Sequence, residues 1–135
     1  MNHFQRMVQG ELPPPAVAKL LGGRVIALDL EQGTLTSEYQ GSETFLNPAG
    51  QLQGGILGAM LDDVTAGLVD ATVQAGEGVA TLSLTLSFLR PATLGPVQAH
   101  ATLVRRGREI CHVQGTLSQA GQAVASAVAV CKIVR

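Results

Sequence analysis

The succession of hydrophobic periodicities along the chain predicts an α+β fold, an antiparallel sheet wrapped around one long central helix. Three observations lead there. From Gly54 to about Ala75, the residues Ile56, Leu57, Met60, Leu61, Val64, Leu68 and Val69 leave a helix apolar around most of its circumference, so it must be buried on most sides. Directly afterwards the period changes to two. Thr81, Ser83, Thr85 and Ser87 alternate with Leu82, Leu84, Leu86 and Phe88, the pattern of a half-buried strand. Further strand patterns flank this pair of segments, and a sheet with one wet face curled around a single helix accommodates all of them.

Taken in order, Met1 to Gly23 reads as a helical preamble, in which Pro13-Pro14-Pro15 opens a short helix through Leu21 and Gly22-Gly23 closes it. Strands follow over Arg24–Glu31 and Thr34–Gln40, joined by the turn signal Gln32-Gly33. Gly41 to Gly50, with Ser, Glu, Asn-Pro and Gly, is a loop. Gly76 and Gly78 end the central helix. The strand at Thr81–Phe88 stops at Arg90-Pro91, and three more are expected at Val97–Arg105, Glu109–Ser118 and Gln122–Val134. Their turns are Arg106-Gly107-Arg108 and Gln119-Ala120-Gly121. The last four strands are expected to form a meander. Strict alternation turns Thr81 to the hydroxyl face, away from the helix. With no repeat and no linker, residues 1–135 are expected to form one domain.

Composition narrows the function. Apolar residues make up 46% of the 135 and charged ones 14%, which excludes a disordered chain. A net charge of −1 argues against nucleic acid as partner, because phosphate binding needs a concentrated basic surface. With no Trp, one Tyr and three Phe, stacking platforms for single strands are also unexpected. The N-terminal residues lack an apolar signal segment, and no apolar run is long enough to span a bilayer, so a cytoplasmic location without a membrane partner is expected. Cys111 and Cys131 read as buried strand thiols. His3, His100 and His112 are scattered, without metal-ligand spacing, and neither a metal nor another cofactor is expected.

The chemistry concentrates between Asn47 and Asp63. Gly54 and Gly55 open the helix and leave backbone N–H groups unblocked, where an oxyanion or polarised carbonyl could sit. Gly-Gly before a helix is also an ordinary turn. Asp62 and Asp63 interrupt an otherwise apolar helix, where an unpaired carboxylate is costly. Asp62 shares its face with Gly55, Gly58, Ala59 and Ala66, all small, which leaves room for a substrate or another backbone. Asp63 shares its face with Ile56, Met60, Gly67 and Asp70. Such carboxylates either cap or pair structurally, or act as base or nucleophile with a pKa set by burial.

The stretch Asn47-Pro-Ala-Gly-Gln-Leu-Gln53-Gly54-Gly55, with an acid nine positions after Gln53, resembles the signature Asn-x-x-Gly-x-x-His-Gly-Gly of the PaaI-like hotdog thioesterases. Phe88-Leu89-Arg90-Pro91 is similar to the Phe-Leu-Arg-Pro that ends the next strand in that family. The match runs from about Phe45 to Val134. The resemblance implies hydrolysis of an acyl-CoA thioester at a site shared between two chains of a homodimer, itself paired into a tetramer. Asn47 would orient substrate or water, Gly54 would offer its N–H to the thioester oxygen, and Asp62 would activate water or attack the carbonyl. Thr81 would assist the water, usually from the other subunit, and Asp62 and Gly54 would come from different chains. Gly55, Asp63 and Arg90 are the further substrate-binding candidates. Arg90 belongs to the family motif and could meet coenzyme A phosphate, as could the less specific Arg105, Arg106, Arg108 and Lys132. Gln53 departs from the family's His. Its amide can donate a hydrogen bond but cannot titrate, so a non-catalytic domain that binds acyl thioesters is the alternative. A hydratase or dehydratase is disfavoured by the missing His.

Overall fold

The computed structural model describes residues 1–135. Two short helices, α1 (His3–Val8) and α2 (Ala16–Leu20), precede strands β1 (Arg24–Asp29) and β2 (Thr34–Gly41). A 3-10 turn at Glu43–Phe45 leads to α3 (Gly54–Asp70), followed by β3 (Gly78–Phe88), β4 (Gly95–Arg106), β5 (Ile110–Gln119) and β6 (Gln122–Val134). The segment before β1 therefore carries α1 in addition to the helix that ends before Gly22. At φ +64°, Gly22 holds the left-handed turn that leads out of α2.

All strand pairings are antiparallel, in the order β1-β2-β4-β5-β6-β3. The sheet curls around α3, which packs against β2, β3, β4, β5 and β6. This is the sheet around one helix that the periodicities required. The expected meander of the last four strands is corrected in one place: β3 pairs with β6, and β2 lies beside β4. With both edges of β4 taken by β2 and β5, residues 89–94 carry the chain from β3 across the end of the curled sheet. This lets β3 close over the flank of α3 that β2 leaves open.

The core is built from large α3 side chains against small strand residues. Leu57, Met60, Leu61, Val64 and Leu68 are buried against strand positions that include Ala99, Ala101, Ala127 and Ala129. Gly115 of β5 marks the closest approach. A Cβ there would stand 2.9 Å from Thr65 Cγ2 and 3.2 Å from Leu61 Cδ2. Leu61→Ala is expected to cost about 2–5 kcal/mol, read from the urea midpoint. In that background Gly115→Ala should destabilise less than it does alone, since the two residues share one volume; additive effects would contradict the packing.

The helix stops at Asp70 rather than near Ala75. The last carbonyls of the helix and of the turn after it find other donors. Thr72 Oγ1 donates to the Val69 carbonyl at 2.6 Å, Asn2 Nδ2 to those of Asp70 and Val73 at 3.0 and 2.8 Å, and Gln5 Nε2 to that of Ala71 at 2.9 Å. Satisfied in this way, the end of α3 needs no further turn, and α1 is tied to it. Cys111 and Cys131 face each other across β5 and β6 as buried free thiols, both pushed up chiefly by burial. No helix is long and apolar enough to cross a membrane.

Candidate active site

The candidate residues fall into two groups, one at the start of α3 and one further along it. The loop into the helix is set by Asn47, whose Oδ1 accepts from the backbone N–H groups of Ala49 and Gln51 at 2.9 and 3.1 Å. The Asn47 N–H donates to the Gln51 carbonyl at 2.7 Å and the Gln53 N–H to that of Phe45 at 2.9 Å. Asn47 thus shapes the turn with its oxygen and keeps its amide NH2 uncommitted. Gln53 is the N-cap with extended backbone, and its exposed side chain makes no capping bond. Its carbonyl takes the N–H groups of Ile56 and Leu57, while those of Gly54 and Gly55 find no acceptor in the chain. The Phe88 ring lies against Gly54, where an added Cβ would stand 3.2 Å from Cζ; at Gly55 it would meet nothing within 4 Å. The approach to these two donors is open on the Gly55 side.

The second group lies two turns further on. Thr81 Oγ1 donates to Asp62 Oδ1 at 2.8 Å. Alternation had turned Thr81 away from the helix, and the correction has a local cause. The β3–β6 register shifts between Thr81 and Ser83, leaving Leu82 as the extra residue of a bulge, 57% exposed. Before the bulge Val79 and Thr81 look inward; after it Leu84 and Leu86 do. Asp63, next to Asp62, accepts from Tyr39 Oη at 2.6 Å on its Oδ2. Tyr39 is almost wholly buried, and burial raises its hydroxyl far above the usual phenol range, so it remains a donor. Asp62, Asp63 and Thr81 line one cleft of about 940 Å³ together with Ser37 and Tyr39. Asn47, Gln53, Gly54, Gly55 and Arg90 lie outside its lining.

Arg90 has a partner that the sequence did not suggest: its guanidinium donates to the Ala123 carbonyl at 2.9 Å, tying the end of β3 to β6. Tyr39 was also missed. The only usable signal was that a lone Tyr in a buried strand needs a partner for its hydroxyl, and Asp63 is the acid that meets it. No three His, Cys, Asp or Glu side chains gather in a group that could hold a metal.

A family model described as the acyl-CoA thioesterase N-terminal domain matches residues 44–132. The chain belongs to the hotdog-fold acyl-CoA thioesterase superfamily. A crystal structure from Ralstonia eutropha JMP134, provisionally described as a thioesterase related to phenylacetic acid degradation, is 57% identical, with a TM-score of 0.95 over 97% of this chain and 99% of that one. The PaaI protein of the E. coli phenylacetic acid degradation operon is 21% identical and shares the fold, with a TM-score of 0.86 over 98% of this chain and 94% of its own. A Saccharolobus solfataricus protein, provisionally named an esterase, is 32% identical over 98 residues, 73% of this chain and 68% of that protein. As a hotdog thioesterase the chain is a hydrolase of acyl thioesters.

Within this thioesterase the Asp63 carboxyl is strongly conditioned by its surroundings. Burial lifts the Asp63 carboxyl above the usual carboxylate range, the Tyr39 hydrogen bond pulls it down, and the charge of Asp62 lifts it again. A proton is therefore held more tightly in the folded than in the unfolded chain. The stability contributed by this carboxyl is fully present below about pH 4 and is lost as pH rises through the folded-state value. Asp63→Asn keeps an acceptor for Tyr39 and does not ionise. Its melting temperature relative to the wild type should rise as pH goes from acid to neutral; a difference that does not change with pH would contradict this account.

Proposed function

We propose that the protein hydrolyses acyl-CoA thioesters as a homodimer, two of which pair into a tetramer. In this reading Asp62 is the base or nucleophile, held in orientation by Thr81, and the N–H of Gly54 polarises the thioester oxygen. Gln53 and Asn47 can add side-chain amide donors at the same helix start. The observation that carries the reading is the 2.8 Å bond from Thr81 to Asp62, which fixes an acid at the edge of a substrate-sized cleft.

The need for two chains follows from helix geometry. Gly54 and Asp62 are eight residues apart on one helix, about 12 Å at ~1.5 Å per residue. One carbonyl group cannot lie within hydrogen-bond reach of both. A second chain running antiparallel beside the first would bring the donor of one helix to the acid of the other. Arg90, already tied to β6, is better suited to supporting the end of β3 than to reaching for phosphate, and among the basic residues its exposure still allows contact with the nucleotide. The test is a panel of acyl-CoA thioesters followed by free-thiol release, with analytical ultracentrifugation of the same sample. Turnover in a dimeric or larger species is expected. Full turnover by a monomer would overturn the shared site, and no turnover on any member would overturn the acyl-CoA assignment.

A further inference from the structure

The bulge that turns Thr81 inward places its hydroxyl beside two groups at once, a carboxylate on α3 and a sulfur on β6. The β3–β6 register sets Thr81 directly opposite Cys131, so their Cβ atoms are about 4.5–5.5 Å apart on one face of the sheet. That face is the inner one. Cys131 is wholly buried, and Thr81 reaches inward to Asp62 Oδ1 at 2.8 Å. On its other side Cys131 faces Cys111, a second buried free thiol. As a thiolate, the Cys131 sulfur would compete with Asp62 for the single proton of the Thr81 hydroxyl. As a thiol it does not compete, and it has a proton of its own to give. Burial above all pushes the Cys131 thiol up, the Thr81 hydroxyl pulls it down, and the charge of Asp62 pushes it up again. The sulfur therefore keeps its proton at neutral pH.

A hydroxyl donates one hydrogen and accepts on two lone pairs. With its hydrogen on Asp62, the Thr81 oxygen is left as an acceptor facing the thiol. Resting on the reading of Asp62 as the reacting acid, we infer that the Cys131 S–H donates to Thr81 Oγ1 and holds the hydroxyl in the orientation that serves Asp62. Cys131 is then a positioning residue, acting on the acid through Thr81. A donor into the hydroxyl oxygen also polarises its O–H and strengthens the bond that group makes. Sulfur suits the place because it is a small hydrophobe that tolerates full burial and still carries a weak donor.

The direct probe is the infrared S–H stretch, which moves to lower frequency when a thiol donates a hydrogen bond. Cys131→Ser identifies which of the two thiol bands belongs to Cys131. In Thr81→Val that band is expected to rise in frequency while the Cys111 band stays. A Cys131 band unmoved by loss of the hydroxyl overturns the inference, whether or not any thioester is turned over. Activity tests the consequence. Cys131→Ala should lower kcat on an acyl-CoA about two- to tenfold, the worth of one modest hydrogen bond, with KM changed less. Cys131→Ser, which keeps a donor, should stay within about twofold of the wild type. Both variants remove the sulfur, so packing alone would make their losses equal, and equal losses overturn the positioning role. In a Thr81→Val background Cys131→Ala should cost no further activity, because the two act in series; additive losses overturn it as well. Thermal melts establish that the variants are folded. If the wild type hydrolyses no acyl-CoA, the fault lies with the proposed function, and the infrared shift alone decides whether the thiol holds Thr81.

Discussion

Replacing Asp62 by Asn is expected to lower kcat by about a hundredfold or more, with the fold intact. The substitution is nearly isosteric. Asn retains an oxygen to accept the Thr81 hydrogen bond that the aspartate receives at 2.8 Å, so the strand and helix remain joined. What is lost is the charge, and with it the capacity to take a proton from water or to attack a carbonyl. Asp62 is half-buried, so removing its charge also removes a desolvation cost, and the melting temperature should be unchanged or slightly higher. Steady-state thiol release paired with a thermal melt separates the two effects. Activity within about threefold of the wild type, well short of the loss a general base implies, would mean that Asp62 is not the reacting acid.

Gly54→Pro should be nearly as damaging, for a different reason. Proline deletes one N–H and little else at the first helical position, where its fixed φ suits the helix and the missing donor breaks no helical bond. The residue before it must be extended, and Gln53 already has φ −60° and ψ 135°. The added ring presses on Phe88, a 55% exposed side chain that can swing aside. Loss of one oxyanion donor typically costs about 10²–10³ in kcat, and that range is expected here with KM changed less. Co-expression of Asp62→Asn and Gly54→Pro chains extends the test. If acid and donor come from different protomers, each mixed dimer contains one doubly damaged and one intact site, and activity returns. If both come from the same protomer, every site in the mixed dimer carries one defect and activity stays low.

Those residues were legible in the sequence because their signals are local or belong to one contiguous motif. Gly54-Gly55 ahead of an apolar helix, and acids within it, can be read within twenty residues. The central helix was clear for a related reason: side chains apolar on nearly every face leave few alternatives to burial. Pairing across the fold was harder to see. Nothing near Tyr39 in the chain announces that its hydroxyl will meet Asp63, because the contact is made only once β2 lies along α3. The place of β3 beside β6 is likewise decided by closure of the sheet around the helix, not by the hairpin signals that order β4, β5 and β6 correctly. The end of α3 was misjudged because the side chains that satisfy its carbonyls come from Asn2 and Gln5, some seventy residues earlier in the chain.

The extra residue in β3 gives that strand something like a reading frame. Upstream of Leu82 one parity of positions faces the helix, and downstream the other does. A chain that lost this residue could keep only one frame. Retaining Leu84 and Leu86 inside preserves two partly buried side chains, worth about 1.5–3 kcal/mol each when fully buried. Retaining Thr81 and Val79 inside preserves one hydrogen bond, worth about 1.5–3 kcal/mol because its acceptor is charged, and one partly buried side chain of comparable worth. The two frames are therefore close in stability, and only the upstream one keeps the hydroxyl on the acid. Stability alone does not choose between the frames; turnover through Asp62, as proposed above, does. On the proposed role of Asp62, length in this strand becomes a functional character, carried by a leucine that points to solvent.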